Sequence, residues 1–233
     1  TGDGGDEIFC GYNRHLIGAK LYELSNLVPS FLRKFASDNS DKFNNNYSDF
    51  LKFINIPNIN LSNFRAKSNK FFRAIGAKDF GQYYYSLISN QRFADSILKF
   101  KEDYISQEDI KSIPEFSNIR DHMMFLDQTE YLSNDILTKV DRASMFCSLE
   151  ARTPFLNQEL VEFNWGIPIQ QKYKGVKGKL LLRKILYNYV PKELVERPKT
   201  GFGLPIEDWL RGPLKERAYN ILFLNDKKHE FFN

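Results

Sequence analysis

The first twelve residues, TGDGGDEIFCGY, combine residue types that can hold a nucleotide phosphate. Three glycines and three carboxylates lie within the first seven positions, and an amphipathic helical pattern follows directly. Glycines let a backbone turn tightly and bring its N–H groups close to a ligand, and the start of a helix adds N–H donors that suit phosphate. Carboxylates would repel phosphate unless Mg²⁺ lies between them. The stretch is therefore either part of a magnesium–nucleotide site or an ordinary turn in which Asp3 and Asp6 only cap a helix.

A second polar stretch spans residues 127–156. Ser133 or Asn134 is a suitable N-cap for a helix that we expect to end near residue 147. Asp135 and Lys139 are four residues apart and share a face of that helix. Lys139 can reach a phosphate, or it can form a solvated pair with Asp135, and residue types alone favour the solvated pair.

A glycine-flanked lysine forms the third stretch, in the sequence GVKGKLLLR at 175–183. The glycines indicate a loop, and a helix is predicted from about Lys179 to Val190. A lysine at the start of a helix opposes the preferred sign of the helix dipole. Lys179 is therefore either a lysine that folds onto a ligand phosphate or an ordinary surface lysine.

Apolar spacing predicts a mostly helical chain with at most a short strand or two. Helices are predicted over these ranges: 6–27, 30–37, 47–76 (one or two), 78–100, 107–112, 117–131 and 206–210. The run Tyr83–Tyr85 could stack on a base, but aromatic residues at helical spacing more often pack in a core.

Composition excludes several classes of protein. The 233 residues are 42% hydrophobic and carry a net charge of only +4, with Lys and Arg spread along the chain, which argues against nucleic acid as a partner. Cys10 and Cys147 make neither a disulfide framework nor a metal motif, so we expect reduced thiols and a cytoplasmic location. The three histidines show no metal-ligand spacing, and no signal peptide or long apolar run points to a membrane.

Four stretches in this order resemble the synthetase domain of the glutamine-dependent asparagine synthetases. Residues 1–12 are similar to the family's Ser-Gly-Asp/Glu-Gly-Gly/Ser-Asp-Glu-Leu/Val-Phe-Gly-Gly-Tyr element, with Thr1 in place of Ser and Cys10 in place of Gly. Three later blocks are similar to the family's other motifs: VDR to PFL at 140–156, GKLLLR at 178–183 and RPKTGFGLP at 197–205. One block alone would be weak, but four in register span nearly the whole chain, apart from roughly residues 38–115.

The resemblance implies ATP-dependent amidation of aspartate. In that reaction the β-carboxylate of aspartate attacks the α-phosphorus of ATP, which gives β-aspartyl-AMP and pyrophosphate, and ammonia then displaces AMP. Catalysis would consist mainly of positioning and of charge stabilisation on phosphate oxygens, with Mg²⁺ and a lysine as the main agents.

The resemblance also implies roles for individual residues. Asp3 would act in forming aspartyl-AMP, Asp6 would lie near Mg²⁺–pyrophosphate, and Lys179 would stabilise the transition state at the α-phosphate. We expect the acidic glycine turn and Lys179 to face a common nucleotide-sized hollow. The remaining implied contacts with ATP are made by Thr1, Gly2 and Lys139, the last at a position where the family varies.

On this resemblance, the chain is the C-terminal portion of the synthetase domain. It is expected to be mostly α, as the helical part of an α/β adenine-nucleotide α-hydrolase-like (HUP, PP-loop ATPase) domain whose parallel sheet is largely missing. The chain opens without Met, and the N-terminal glutaminase domain and the Ser-Gly-Gly-x-Asp-Ser pyrophosphate loop should lie upstream. Cys10 is internal and cannot replace the glutaminase nucleophile.

The expected partners are aspartate, ATP and ammonia derived from glutamine, with a homodimer of the full-length protein. We expect the chain alone neither to bind ATP tightly nor to make asparagine.

Two alternatives to an asparagine synthetase stay open. Relatives with the same fold adenylate other carboxylates to make β-lactams, lasso-peptide rings or amidated sugars, and an acid at Asp3 favours asparagine over the β-lactam makers. A non-catalytic helical interaction module would tolerate replacement of Lys179 by Ala, whereas either enzyme would lose its activity.

Overall fold

The computed structural model describes five segments of the chain: residues 1–38, 74–77, 79–88, 114–196 and 204–224. The chain divides into two compact units, of which the larger comprises residues 1–89 and 108–189 and the smaller comprises 90–107 and 190–233. The regular secondary structure described in both units is helical. Within the described segments, β-pairing is limited to one isolated antiparallel bridge between Lys174 and Lys177.

The described part of the larger unit contains nine α-helices: α1 (Gly5–Ile8), α2 (Ala19–Ser25), α3 (Ser30–Asp38), α4 (Phe80–Ile88), α5 (Ile119–Leu126), α6 (Thr138–Phe146), α7 (Gln158–Trp165), α8 (Ile169–Lys172) and α9 (Leu180–Leu186). A π-helical turn (Arg14–Gly18) precedes α2, and a longer π-helical segment (Asp127–Leu137) joins α5 to α6. A 3₁₀ turn (Pro154–Leu156) precedes α7.

The described part of the smaller unit contains three short helices and a π-helical turn: α10 (Lys192–Val195), α11 (Ile206–Arg211), α12 (Lys215–Tyr219) and Asn220–Leu224. No helix in the described segments of either unit is long and apolar enough to cross a membrane.

A cluster of buried side chains from α2, α4 and α5 forms one core of the larger unit. Tyr83 and Tyr84 of α4 are fully buried there with Met123 of α5 and Ala19 of α2. The Tyr83 hydroxyl donates a hydrogen bond to the Gly18 carbonyl at 2.7 Å, which satisfies the polar end of a buried phenol. The prediction that these tyrosines pack in a core is therefore confirmed.

One continuous helical rod runs from residue 119 to residue 146, and the prediction of a new helix capped by Ser133 or Asn134 is wrong. The Ser133 hydroxyl donates instead to the carbonyl four residues earlier at 2.6 Å, and the Asn134 amide donates to a glutamate side chain four residues earlier at 3.1 Å. Both polar side chains are satisfied on the preceding turn, so the helix continues through them. The actual N-cap is Asn118, whose side chain accepts a hydrogen bond from the backbone two residues later at 2.8 Å.

The predicted helix over 6–27 is broken between Ile8 and Arg14. Cys10 lies in the left-handed region with φ 56°, which ends α1 before the next helical turn begins. Three other predicted helices can be compared with the structure. The bounds of α3 and α11 agree with their predicted ranges. Helix α9 begins where expected but ends at Leu186, before the predicted end at Val190. Predictions over 47–73, 89–100 and 107–112 lie outside the described residues.

Candidate nucleotide site

The acidic glycine turn packs against the second sequence block. Gly4 has φ 88°, a left-handed conformation that residues with a side chain rarely adopt. A Cβ atom there would lie only 2.4 Å from a methyl carbon of Leu156. The backbone nitrogen of Thr1 lies 2.6 Å from the Arg152 carbonyl oxygen. Two motifs that are far apart in the sequence therefore meet here.

Lys179 reaches the same turn from the third sequence block. Its Nζ lies 3.0 Å from Asp6 Oδ2, and a Cβ atom built on Gly5 would lie 3.7 Å from Nζ. The two side chains remain 28% and 31% exposed, respectively, so a ligand can reach the pair. Asp3 lies half-buried in the same turn, three residues before Asp6. The predicted proximity of Lys179 to the acidic turn is confirmed, whereas a hollow that holds a nucleotide stays a prediction.

Close contact between two backbones holds Lys179 in place. The Lys179 N–H donates to the Phe9 carbonyl at 3.0 Å, and Lys179 itself has φ 57°. A Cβ atom on Gly178 would lie 1.9 Å from the Cys10 carbonyl oxygen, and one on Gly11 would lie 2.4 Å from Lys179 Cε. Glycines on both segments are therefore what allows this approach.

Side chains from α7 and the π-helical segment hold α1 by its backbone. Buried Asn164 donates to the Ile8 carbonyl at 2.8 Å. Gln128 donates to the Glu7 carbonyl at 3.2 Å, and the Trp165 indole N–H donates to the Gln128 side-chain oxygen at 3.2 Å. These contacts set the position of the helix that carries Asp6.

The sequence analysis missed the contribution of Asn164 because an amide inside a helix forms no recognisable motif. The sequence does contain one indication of this role, which is the spacing of Asn164 from the apolar residues before it. Asn164 follows Leu160 and Val161 by four and three residues, so it falls on an apolar face of α7, where a polar residue needs a partner.

A buried carboxylate ties the π-helical turn before α2 to the rod and to α4. The Nε atom of Arg14 lies 3.0 and 2.8 Å from the two carboxylate oxygens of Asp127, and His15 and the Tyr84 hydroxyl also hydrogen-bond to that carboxylate. Burial alone would raise the pKa of Asp127, but the hydrogen bonds and charges of His15 and Arg14 outweigh burial and lower it. Asp127 is therefore a charged residue that links three helical segments of the larger unit.

Both cysteines are free thiols. Cys10 is fully buried, and this burial raises its pKa to about 12. The thiol of Cys10 is therefore protonated near neutral pH and is a poor nucleophile. Cys10 contributes to the site through its backbone carbonyl, which lies against Gly178.

Lys139 is far more exposed than Lys179. Its Nζ lies 2.5 Å from Asp135 on the same helical face, and 73% of the side chain is exposed. The hydrogen bond to Asp135 raises the pKa of Lys139. The solvated pair is thus present, and a contact between Lys139 and ATP stays a prediction. Residues 197–203 of the fourth sequence block lie outside the described residues.

The acidic turn offers carboxylate oxygens that fit Mg²⁺ only if other ligands complete the coordination. In the described part of the chain, no group of three or more His, Cys, Asp or Glu side chains could hold a metal ion. Mg²⁺ commonly binds through one or two carboxylates together with phosphate oxygens. Asp6 therefore fits as one ligand of a magnesium ion that binds together with a nucleotide.

Comparison with known families identifies the family of the chain. The model of the Asparagine synthase family matches residues 1–233. The chain belongs to the asparagine synthase family. No solved structure matches the chain significantly.

Curated relatives carry the same family name. The chain is 28% identical over 230 residues to "Asparagine synthetase [glutamine-hydrolyzing] 1" of Bacillus subtilis, an alignment that covers 95% of this chain and 33% of that protein. It is 41% identical over 98 residues to a "Putative asparagine synthetase [glutamine-hydrolyzing]" of Mycobacterium tuberculosis, covering 42% of this chain and 15% of that protein. The chain thus spans about a third of the length of the Bacillus subtilis relative.

Proposed function

We propose that this chain is the C-terminal portion of the synthetase domain of an enzyme that converts aspartate into asparagine with ATP. One observation carries the proposal within this family. The Lys179 ammonium lies 3.0 Å from Asp6, on the glycine turn where the resemblance places the magnesium–pyrophosphate contact. A basic and an acidic group from distant motifs thus share one small, accessible surface.

The proposed reaction has two steps. A β-carboxylate oxygen of aspartate forms a bond to the α-phosphorus of ATP while the bond to the pyrophosphate oxygen breaks. Ammonia then attacks the activated carbonyl carbon, AMP leaves with the carboxyl oxygen, and the amide nitrogen loses a proton. A carboxylate resists attack by ammonia, and adenylation removes this resistance by supplying a good leaving group.

The chain's own residues would orient the nucleotide and stabilise charge. Lys179 would exchange its pairing with Asp6 for the oxygens of the α-phosphate, where negative charge grows during adenylation. Thr1 and Gly2 would contact ATP, and Asp3 would act in forming the intermediate. Bound Mg²⁺ would supply neutralisation of pyrophosphate charge, with Asp6 among its ligands.

The wider assembly follows from the family and stays part of the proposal. The helices of this chain would complete an α/β adenine-nucleotide α-hydrolase-like domain, and a glutaminase domain would supply ammonia from glutamine. The relatives' names, which include glutamine hydrolysis, support that source. A homodimer of the full-length protein is also predicted.

Aspartate-dependent exchange of pyrophosphate into ATP by the full-length protein tests the proposal, because it reports the first step without requiring ammonia. We expect exchange in the wild type and a loss of about 100-fold or more in Lys179→Met, the scale of removing a group that stabilises charge in a transition state. Lys177→Met removes a nearby exposed lysine and is the matched control, expected to keep wild-type exchange.

The same assay separates the alternatives. Exchange that depends on a different carboxylate and not on aspartate would identify the chain as part of a related adenylating enzyme. Absence of exchange with every carboxylate, combined with full biological activity of Lys179→Ala, would instead identify a non-catalytic module.

A further inference from the structure

The peptide unit between Gly178 and Lys179 is held at both of its polar ends. Its N–H, which belongs to Lys179, donates to the Phe9 carbonyl at 3.0 Å. Its carbonyl, which belongs to Gly178, accepts a hydrogen bond from Arg183 Nε at 3.0 Å. The plane of this peptide is therefore fixed from one side by Phe9, directly after α1, and from the other by Arg183 of α9.

This restraint acts on a strained residue. Lys179 has φ 57° and ψ 36°, a left-handed conformation that residues with a Cβ atom adopt rarely. Such a conformation persists when surrounding contacts over-determine it, and it is common at functional sites. The φ angle of Lys179 describes rotation relative to the peptide plane that Arg183 and Phe9 hold.

The position of Arg183 suits it to restrain the peptide between Gly178 and Lys179. It lies one helical turn after Lys179, its backbone N–H donates to the Lys179 carbonyl at 2.9 Å, and the side chain is half-buried. Its guanidinium therefore folds back over the start of the helix to which it belongs. The hydrogen bond to Gly178 spans the residue whose side chain reaches Asp6.

We propose that Arg183 is a positioning residue for Lys179, acting through the Gly178 carbonyl and not through its own charge. This inference rests on the proposed function. Without the Nε donor, the peptide keeps only its hydrogen bond to the Phe9 carbonyl. With one restraint left, Lys179 relaxes toward the right-handed region. The side chain then leaves the acidic turn, and the ammonium is misplaced for the α-phosphate.

Three substitutions separate the hydrogen bond from the charge. Arg183→Gln keeps an N–H donor the same number of bonds from the backbone as Nε but removes the charge. Arg183→Lys keeps the charge but places a carbon atom at that position, and Arg183→Met removes both. Lys184→Met is the matched control, since it removes a neighbouring exposed cation from the same helix.

The first measurement is aspartate-dependent pyrophosphate exchange by the full-length protein. Arg183→Met and Arg183→Lys are expected to lower kcat by about 10- to 100-fold, the cost of a small misplacement, and to change KM by less than about threefold. Arg183→Gln and Lys184→Met are expected to stay within about threefold of wild type. Activity retained in Arg183→Lys and lost in Arg183→Gln would overturn the proposal and assign the role to charge.

The second measurement needs no catalysis. Hydrogen exchange of the Lys179 amide in the full-length protein is expected to accelerate in Arg183→Met and Arg183→Lys and to stay unchanged in Arg183→Gln and Lys184→Met. Unchanged exchange in Arg183→Lys overturns the inference even if the enzyme proves active. If the wild type fails to activate aspartate, the proposed function fails, while the amide data still decide whether Arg183 holds the loop. If Arg183→Met does not fold, the same two measurements on Arg183→Gln and Arg183→Lys decide whether the hydrogen bond or the charge is needed.

Discussion

Gly11 shows how little space separates the two charged groups of the candidate site. A Cβ atom on Gly11 would lie 2.0 Å from Asp6 Oδ1, 2.8 Å from Asp6 Cα and 2.4 Å from Lys179 Cε. The contact with Asp6 Cα involves backbone, which cannot move aside as a flexible side chain can. The absence of a side chain at this residue is therefore a condition for the ion pair.

We predict that Gly11→Ala separates Lys179 from Asp6 and lowers pyrophosphate exchange by about 100-fold, since small displacements of a positioned group have effects of this size. Overpacking should also lower the free energy of unfolding by about 1–3 kcal/mol. The measurements are exchange and urea denaturation of the full-length protein. Gly166→Ala is the control, because its Cβ would meet only the Phe163 carbonyl at 3.3 Å. Wild-type exchange in Gly11→Ala would contradict the close approach.

Residue types and family motifs predicted the charged members of the site but not the residues that hold them. Asp6 and Lys179 stand in glycine-rich, recognisable stretches, and the structure brings them together. Arg183 and Asn164 act on backbone carbonyls of Gly178 and Ile8. Spacing marks Asn164 as a polar residue on an apolar face, but it does not say which carbonyl either side chain contacts. That choice depends on how the backbone folds around each side chain.

The helices of the larger unit are connected by buried polar contacts as well as by apolar packing. Asp127 stands where α5 passes into the π-helical segment and accepts hydrogen bonds from Arg14, His15 and Tyr84. Three elements thus converge on one buried carboxylate: the rod, the turn before α2, and α4. Removal of the charge would leave the Arg14 guanidinium without its partner in a mostly buried place.

We predict that Asp127→Asn lowers the free energy of unfolding by about 3–5 kcal/mol, the usual cost of breaking one side of a buried ion pair. The pKa of Asp127 is lower in the folded state than its ordinary value of 3.8. Its stabilising contribution is therefore complete above 3.8 and is lost as the pH falls through the folded-state value. The wild type should lose stability in this acidic range, and Asp127→Asn should lack that part of the loss.

Urea denaturation of the full-length protein between about pH 2 and pH 7 checks this prediction, because the range has to extend below the ordinary carboxyl pKa toward the lowered folded-state value. Asp141→Asn, at an exposed position of α6, is the control and should behave as the wild type does. An identical acid dependence in wild type and Asp127→Asn would show that Asp127 is not the group responsible.

Periodicity predicted that helices exist but not where they break. The apolar pattern over 6–27 is helical throughout, yet the chain turns at Cys10 because the loop at 178–179 docks against it. The pattern near Ser133 resembles a helix start, yet the rod continues because that hydroxyl bonds within the helix. In both cases contacts in three dimensions override a correct local preference.

At the scale of the whole molecule, the chain presents two opposite charges from distant motifs on one accessible surface. The regular secondary structure of the described residues is helical, and β-pairing there is limited to the isolated bridge at 174–177. The fold of a complete nucleotide domain therefore stays a proposal from the family. The order of motifs was readable from the sequence, since each block has a local signature, whereas the spatial meeting of Asp6 and Lys179 required coordinates.

We predict that the isolated 233-residue chain binds MgATP with a Kd above about 1 mM, a free energy weaker than about −4 kcal/mol, and shows no aspartate-dependent exchange. The physical reason is that Lys179, the group proposed to bind phosphate, is already paired with Asp6. When Lys179 exchanges Asp6 for a phosphate oxygen, the net gain in binding free energy is small unless other groups also bind the nucleotide. The full-length protein should have a KM for ATP below about 1 mM, within the usual range for enzymes.

Titration calorimetry with MgATP and the exchange assay, run in parallel on the chain and the full-length protein, check this prediction. Far-ultraviolet circular dichroism is the control, because it must show that the isolated chain is helical. Weak binding by an unfolded chain would not test the prediction. Exchange by the isolated chain at the full-length rate would contradict the prediction. Residues 1–233 would then contain every group that adenylation needs, and Lys179 would have to leave Asp6 without help from any further segment.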